Sequence, residues 1–279
     1  MLEINLEEIK TIELGLLQQV HEICISNNIR YSLAYGTLLG AIRHKGFIPW
    51  DDDVDLMMPR PDYMRFLDYC TSHEIGFSLA SNELDANYHR LFAKVWDNNT
   101  IVEDKYDDNK IFGMGVNIDI FPVDGLGTDD AKLAWKRLKP FIVSNRILAA
   151  TNWKKYTKSL THSWVYEPMR LALFLYTRFL NANKYSRRLN QKIMKYDYNS
   201  SGLVACVGAT KTQRALKKKQ MFETYRDVVF EGRLFKAIDS YDQFLKETYG
   251  DYMKLPPKDK QAPHHGRRAY TKEQEEKTI

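Results

Sequence analysis

The chain has 279 residues, 44% hydrophobic and 28% charged, which is ordinary for a soluble globular protein with one large domain or two small ones. Its net charge of +5 suits anionic ligands or an anionic membrane surface, and since no nucleic-acid motif accompanies it, nucleic acid is not expected as a partner. The three cysteines form no C-x-x-C pair, and we recognise neither a signal peptide nor a membrane-spanning run, so we expect a cytoplasmic protein with buried reduced thiols.

The first predicted elements are a helix over residues 6–27, with its apolar residues near one face, and a short strand at 31–35. Gly36 and Thr37 then open a short helix at 38–43. A glycine lets the backbone approach a ligand closely, and a helix N-terminus offers free N–H groups to an anion. We therefore expect Gly36 and Thr37 to bind a phosphate group.

An acidic cluster at 51–57 runs directly into apolar residues. Asp53 and Asp55 alternate with Val54 and Leu56 as in a half-buried strand, so both carboxylates share one face, about 7 Å apart. Like charges this close raise each other's pKa unless a cation lies between them. Mg²⁺ typically takes one or two carboxylates plus substrate phosphates. The cluster therefore predicts a metal–phosphate site with one or two Mg²⁺ ions, with Mn²⁺ as the alternative.

Three other interpretations of the acidic cluster were weighed. Acidic triplets are most often solvated loops, but this one enters an apolar strand directly after Trp50. An EF-hand fails on spacing, since Leu56 stands where the glycine belongs and Asp62 where the glutamate belongs. Sugar-nucleotide glycosyltransferases also use Asp-x-Asp, so the triplet alone does not decide the reaction.

The next predicted elements are a helix at 62–72 and strands at 76–80, 91–96 and 100–103. A further strand lies within 113–125, where apolar residues alternate with Gly115, Asn117, Asp119 and Phe121. A single acid on a strand is more often a surface residue, but the apolar surroundings of Asp119 favour a third functional carboxylate. Asp124 is expected to cap a turn or to support Asp119.

Residues 129–200 change character and are predicted to form a helical insertion, with one helix to about residue 150 and helical patterning over 163–195. Their aromatic and basic side chains permit peripheral docking on an anionic membrane surface. Packing against the protein's own core is the commoner explanation for such a pattern and is preferred over membrane docking.

The last third is predicted to return to the core. Its expected elements are a strand at 202–207, a solvated helix face at Lys217–Lys219, a hairpin at Gly232, a helix at 239–248 and a polar, partly disordered tail at 258–279. His264 and His265 could bind metal, but paired histidines in a polar tail are usually just exposed.

Residues 36–55, G-T-L-L-G-A-I-R-H-K-G-F-I-P-W-D-D-D-V-D, strongly resemble the LicD family of phosphorylcholine transferases, which includes the fukutin-related proteins. The I-D-I-F-P-x-D pattern at 118–124 and the segment 229–257 resemble the same family. One departure is A-I-D-S at 237–240, where family members commonly carry a proline at this helix entry.

The resemblance implies an α+β, nucleotidyltransferase-like fold, with a mixed β-sheet core flanked by helices and interrupted by a helical insertion. We divide the chain into a catalytic core (1–128), the helical insertion (129–200), a C-terminal part that packs back on the core (201–257) and a polar tail (258–279).

In this fold Asp53, Asp55 and Asp119 would hold the metal and bridge it to a diphosphate, and Asp119 would take the proton from an attacking hydroxyl. The residues predicted to bind donor phosphates are Gly36, Thr37, Arg43, His44, Lys45 and, more weakly, Lys94. A plain surface position is the alternative for each of these basic residues. Trp50, Tyr35 and Tyr106 are candidates for an aromatic cage around a quaternary ammonium group, although core aromatics are far commoner.

The family implies transfer of phosphocholine from CDP-choline to a sugar hydroxyl of a cell-surface glycopolymer, of the teichoic acid or lipopolysaccharide type, with release of CMP. The acceptor would be a glycan or lipid-linked precursor, met in the cytoplasm or at the inner face of the membrane. CDP-ribitol or CDP-glycerol stays open as the donor, and a nucleotidyltransferase would instead release pyrophosphate. An inert nucleotide-binding protein is disfavoured, since it would not need the intact carboxylates.

Overall fold

The computed structural model describes residues 2–103, 112–151, 153, 155, 156, 158, 164–209, 212–258, 261 and 268–272. The helices are α1 Leu6–Ser26, α2 Tyr35–Arg43, α3 Arg60–Ser72, α4 Ala131–Thr151, α5 Glu167–Arg178, α6 Ala182–Ile193 and α7 Tyr241–Tyr249. The strands are β1 Glu3–Ile4, β2 Ser32–Leu33, β3 Asp55–Pro59, β4 Ser78–Ala80, β5 Ala93–Trp96, β6 Thr100–Glu103, β7 Asn117–Gly125, β8 Leu203–Ala205, β9 Lys217–Lys218, β10 Tyr225–Phe230, β11 Arg233–Ile238 and β12 Arg268–Thr271. The predictions for Tyr106, His264 and His265 lie outside the described residues.

The central feature is a mixed sheet, so the predicted α+β class is confirmed. Its strands run in the order β2-β3-β7-β5-β4, with β8 paired to the end of β7 and β9 paired to β8. β3 and β7 are parallel, and the other pairs in this sheet are antiparallel. Both strands of the parallel pair are mostly buried, because helices cover the sheet where β3 and β7 meet.

α1 covers the sheet and confirms the first predicted helix. Asn5 and Glu8 form a capping box, in which the Asn5 side chain accepts from the first turn and Glu8 accepts from the Asn5 N–H. The helix buries Leu17, Val20 and Cys24 in the main core. Cys24, Cys70 and Cys206 are all buried and form no disulfide, as expected from their apolar surroundings.

β10 and β11 form the predicted hairpin. Glu231 and Gly232 both have positive φ angles, as a two-residue turn that follows the strand twist requires. Glu231 also binds the connector after α2: its N–H donates to the Lys45 carbonyl, and its carboxylate accepts from the Phe47 N–H, each at 2.9 Å. The hairpin therefore holds the segment that leads from α2 to the acidic cluster.

A buried ionic network that sequence reasoning missed links the sheet to the helical segment. Arg60 donates to Asp124 at 2.6 Å and to Glu83 at 2.7 Å. Glu83 also accepts from Asn190 of α6 and from Tyr63. The expectation that Asp124 caps a turn or supports Asp119 is therefore wrong, because its carboxylate is committed to Arg60.

One C-terminal prediction is also wrong, and one region contains a strand that the sequence did not reveal. Lys217 does not belong to a solvated helix face: it lies buried in β9, donates to Glu247 at 2.7 Å, and its ammonium lies 5.1 Å from the centroid of the Phe244 ring. Part of the predicted polar tail forms β12, which pairs between β1 and β6. A four-residue strand between charged neighbours gives no pattern by which sequence alone would reveal it.

The helical segment has a core of its own. α4 and α6 pack around Leu138, Phe141 and Ile193, and Leu126 joins this cluster from the end of β7. Within the described ranges, no helix is long and apolar enough to cross a membrane. The four-part division of the chain stays a prediction.

Candidate active site

The site is built on the parallel pairing of β3 with β7, which places Asp55 directly opposite Asp119. The backbone fixes both residues: the Ala34 N–H donates to the Asp55 carbonyl, and the Asp119 N–H donates to the Val54 carbonyl, each at 2.9 Å. Parallel neighbours lie about 4.8 Å apart. Two carboxylates far apart in the sequence thus become neighbours at the start of two strands.

The acidic loop before β3 keeps the predicted alternation. Asp51, Asp53 and Asp55 are half-buried, whereas Asp52 and Val54 are buried. The regular strand begins only at Asp55, two residues later than expected. Burial raises the pKa of Asp55 well above its ordinary value, and the charges of Asp53, Asp119 and Asp51 raise it further. The carboxylates therefore act on one another as the sequence predicted.

Lys94 is the cation of this face. It lies opposite Asp119 in the antiparallel pairing of β5 with β7 and is buried. Its ammonium donates to Asp119 Oδ1 at 2.6 Å and to Asn117 Oδ1 at 2.7 Å. The structure thus brings Lys94 to a predicted catalytic carboxylate. Its binding of a substrate phosphate stays a prediction.

The first turn of α2 lies against the acidic loop. The helix begins at Tyr35, so Gly36 and Thr37 lie inside its first turn instead of before it. The Thr37 hydroxyl oxygen accepts from the Asp55 N–H at 2.8 Å. A Cβ added to Gly36 would lie 2.6 Å from the Asp51 carboxylate, so only glycine allows this approach. The predicted phosphate turn and the acidic cluster are therefore in direct contact.

The basic segment 43–45, at the end of α2, contacts both the C-terminal part of the chain and Trp50. Arg43 donates to the Tyr252 carbonyl at 2.8 Å and to His44 Nε2 at 2.9 Å. Burial and the Arg43 charge lower the pKa of His44, and its ring meets Trp50 edge-on at 6.4 Å between centroids. Lys45 is exposed and has a φ of +62°. Binding of phosphate by these three basic residues stays a prediction.

The side chain of Tyr35 points into the core. Its ring packs edge-on against Phe121 at 5.6 Å and lies 6.2 Å from Phe244. Burial, together with Cys206, raises the pKa of its hydroxyl well above the ordinary value. The ring is thus partly buried against the core, and its place in an aromatic cage stays a prediction.

Sequence reasoning missed Tyr249 at the end of α7. Burial of its hydroxyl raises its pKa, and the nearby charges of Asp55, Asp51 and Asp53 add to that effect. The residue is still 44% exposed, so it has surface available beside the acidic cluster. The only sequence signal was the Tyr-Gly-Asp-Tyr helix stop, which identifies an end and not a site.

A cavity of about 130 Å³ beside Phe92 was also not predicted. It lies between α4 and the residues before β5, and its lining includes His89, Arg90, Phe92 and Asn145. Phe92 connects it to the site, because the Lys94 ammonium lies 5.8 Å from the centroid of the Phe92 ring and Arg90 lies 5.7 Å from the same point.

The donor set fits a hard divalent cation that is completed by substrate oxygens. Carboxylate oxygens are what Mg²⁺ and Mn²⁺ prefer, and the raised pKa of Asp55 shows an excess of negative charge that Lys94 offsets only in part. No three His, Cys, Asp or Glu side chains in the described part of the chain converge closely enough to hold an ion by themselves. Asp55 and Asp119, with Asp53 beside them, are the residues that would hold such an ion, and substrate oxygens would complete its coordination.

Comparisons with known proteins find relatives of this chain. The family model described as "LicD/FKTN/FKRP, nucleotidyltransferase domain" matches residues 28–179, which contain both site strands. The chain is 34% identical over 275 residues to the lipopolysaccharide cholinephosphotransferase LicD of Haemophilus influenzae, covering 97% of this chain and 99% of that protein. It is also 33% identical over 105 residues to an uncharacterised protein of Rickettsia prowazekii, covering 34% of this chain and 40% of that protein.

Proposed function

The chain belongs to the LicD family, and we propose that it is a phosphotransferase that moves phosphocholine from CDP-choline to a sugar hydroxyl of a cell-surface glycan, releasing CMP. The proposal draws the reaction from the similarity to the Haemophilus protein over nearly the whole of both chains. The observation that carries it is the facing pair Asp55 and Asp119, with Lys94 on the same sheet face.

Phosphoryl transfer needs positioning and charge neutralisation more than covalent chemistry from the protein. A Mg²⁺ ion held by Asp55 and Asp119, with Asp53 beside them, would supply that neutralisation on the donor diphosphate. Lys94 adds a fixed positive charge and holds one oxygen of Asp119 in place. Thr37 fixes the backbone of Asp55, so the carboxylate is positioned before the substrate arrives.

Asp119 is the proposed proton acceptor, because its carboxylate is 19% exposed and is oriented by Lys94. The sugar oxygen attacks the phosphorus that carries choline, and its proton passes to Asp119. The bond from that phosphorus to the bridging oxygen breaks, and CMP leaves with the bridging oxygen and its electron pair. This sequence makes one new phosphodiester bond and breaks the diphosphate.

We assign choline recognition to aromatic residues beside the acidic cluster. A quaternary ammonium group binds over aromatic faces, and the acidic surroundings favour its charge. Tyr249 and Trp50 are candidates in addition to Tyr35, since Tyr249 is partly exposed near the carboxylates and Trp50 directly precedes them. The cavity beside Phe92 is the proposed place for the acceptor sugar, because it combines an aromatic ring with polar side chains.

The test is a donor comparison with the purified chain. Mg²⁺ and CDP-choline, CDP-ribitol or CDP-glycerol are incubated with glycan acceptors, and CMP and pyrophosphate are measured separately. We expect acceptor-dependent CMP from CDP-choline, and about 10²- to 10³-fold less from an Asp55→Asn variant. The matched control is Asp68→Asn, which changes an exposed carboxylate on α3. CMP from CDP-ribitol or CDP-glycerol alone would overturn the choline assignment, and pyrophosphate would overturn the reaction class.

A further inference from the structure

The most exposed apolar surface in the described chain lies on α5 and the 3₁₀ turn before it, Trp164–Tyr166. Trp164 is 82% exposed and Phe179 is 92% exposed. Val165, Met169, Leu175 and Tyr176 are also exposed. We call these six side chains the α5 face. Contiguous exposed apolar side chains of this size mark an interaction surface more often than a plain protein exterior.

The α5 face is one side of the helix and its N-terminal extension. Met169, Leu175, Tyr176 and the C-cap residue Phe179 project within about 120° of one another around the helix axis, and Trp164 and Val165 precede them in the 3₁₀ turn. The opposite side packs on α4: the Thr177 hydroxyl donates to the Ala150 carbonyl, and the Arg178 guanidinium donates to the Ala150 and Thr151 carbonyls. Thr177 is the buried residue of this helix. Leu173 and Phe174 are half-buried on the same side as Thr177, so the helix packs inward through that side and leaves the α5 face exposed.

The charge of the same region is extreme. Residues 131–196 contain fifteen Lys and Arg and a single acid, Glu167, a net charge of +14 in a chain whose total is +5. α6 follows α5 after three residues and carries exposed basic side chains, among them Lys184, Arg187, Arg188 and Lys192. An apolar helix face with Trp and Tyr, flanked by Lys and Arg, is the composition that lies in the interface of an anionic bilayer.

We propose that the α5 face docks on an anionic phospholipid surface, with its aromatic side chains in the headgroup region and the α6 cations against the lipid phosphates. A second copy of the chain is a worse occupant, because pairing the α5 faces would bring two segments of +14 together. A lipid surface satisfies both the apolar stripe and the charge, and attraction adds to burial of apolar area in such docking.

Docking would also place a lipid-linked acceptor near the site, a consequence that rests on the proposed function. The last turns of α4 contact the cavity beside Phe92 through Asn145 and Leu148, and contact α5 through Ala150 and Thr151. One helix, about 10 Å across, therefore separates the cavity from the docking face. A lipid-linked acceptor held in the bilayer would present its first sugars within reach of that cavity.

The experiment is co-sedimentation of the full chain with vesicles of pure phosphatidylcholine or of phosphatidylcholine with 30% phosphatidylglycerol, without any substrate. We expect binding to the anionic vesicles only, weakened when salt is raised from 0.1 to 0.5 M. Trp164→Ser with Phe179→Ser should weaken binding about tenfold or more. Arg187→Gln with Arg188→Gln should weaken it about fivefold per charge. All four positions are exposed, so circular dichroism should show unchanged folding.

Matched controls are Leu234→Ser and Arg233→Gln, an exposed apolar and an exposed basic residue on the β10–β11 hairpin. Equal binding to both vesicle types, or loss of binding by the hairpin variants as well, would overturn the proposal. A dimer by light scattering that the Trp164→Ser, Phe179→Ser variant abolishes, with no vesicle binding, would assign the face to a second copy instead. CMP release with a short soluble acceptor does not depend on docking, so failure of the proposed reaction is seen separately.

Discussion

Asp55 and Asp119 face each other across two parallel strands, yet only Asp119 is hydrogen-bonded to Lys94. The two carboxylates are therefore not equivalent. Lys94 orients Asp119 from the neighbouring strand, whereas burial and three nearby acids raise the pKa of Asp55. The negative charge of Asp55 is only partly neutralised by the protein, so binding of a cation at this site would be favourable.

The first prediction concerns cation binding at Asp55. Asp55→Asn should lower the rate of CMP release by about 10²- to 10³-fold, because one group that stabilises the transition-state charge is lost. Mg²⁺ at ten times its dissociation constant should stabilise the wild-type fold by about 1.4 kcal/mol, seen as a rise of a few degrees in melting temperature. Asp55→Asn should lose this rise and Asp68→Asn should keep it. An equal rise in both variants would mean that the ion binds elsewhere.

A second prediction concerns the Lys94–Asp119 pair. Lys94→Met should lower the free energy of unfolding by about 3 kcal/mol, since the carboxylate of Asp119 and the amide oxygen of Asn117 both lose a donor in a buried setting. Adding Asp119→Asn should restore part of that loss, because the stranded charge is gone. The measurement is a double-mutant cycle by urea unfolding, with a coupling energy above about 1 kcal/mol expected. Strictly additive effects would show that the pair is not coupled.

The third prediction tests the aromatic residue that the sequence did not reveal. Tyr249→Leu should raise the KM for CDP-choline about tenfold with a smaller change in kcat, because a cation–π contact of about 1 kcal/mol or more is lost. Tyr249→Phe keeps the ring and should stay near wild type. Turnover of CDP-glycerol, which has no quaternary ammonium group, should not respond to Tyr249→Leu. A similar loss with both donors would assign Tyr249 to the phosphates or to structure.

The sequence revealed the site strands because their patterns are local. The alternation around Asp55 and around Asp119 shows which faces carry acids, and the parallel pairing then brings those faces together. The sequence predicts that the strand carrying Asp55 begins two residues before the observed start of β3. The reason is that the acids before β3 continue its alternation of buried and half-buried side chains without forming its hydrogen bonds. Local pattern thus predicts which residues share a face more securely than it predicts where an element begins.

What the sequence could not reveal depends on distant contacts. Lys94 looked like a phosphate ligand, because nothing local shows that it faces Asp119 across the sheet. Tyr35 looked available, and only the packing of Phe121 and Phe244 shows that its ring is partly buried against the core. Arg60 and Asp124 come together from different strand ends in the same way. Each of these cases concerns a contact between residues that are remote in the chain.

The fourth prediction concerns pH. Burial and the Lys236 charge lower the pKa of His21 below its ordinary value, against the opposing charges of Asp227 and Glu22. The folded state therefore prefers neutral His21, so its contribution to stability is present above pH 6.5 and is lost as the pH falls. The free energy of unfolding should decrease from pH 7.5 to 5.5 by less in His21→Gln than in the wild type.

The exposed His73 provides the control for that experiment, and His73→Gln should keep the wild-type pH dependence. The neutral ring of His21 contacts the Tyr31 hydroxyl at 2.6 Å, so the substitution must retain folding, which near-ultraviolet circular dichroism reports. A His21→Gln variant with the full wild-type slope would show that other groups carry this pH dependence.

The last prediction contrasts two glycines in helices. A Cβ on Gly40 would lie 2.5 Å from the Gly46 carbonyl oxygen, a backbone atom that cannot move without shifting the connector from α2 to the acidic loop. Gly40→Ala should therefore lower the free energy of unfolding by about 1–3 kcal/mol and reduce CMP release per folded molecule. Gly15 in α1 has no atom within 4 Å of an added Cβ, so Gly15→Ala should instead stabilise by about 0.5–1 kcal/mol with full activity. Urea unfolding of both variants tests the contrast. Equal stabilisation by both substitutions would show that the connector shifts without lowering the free energy of unfolding.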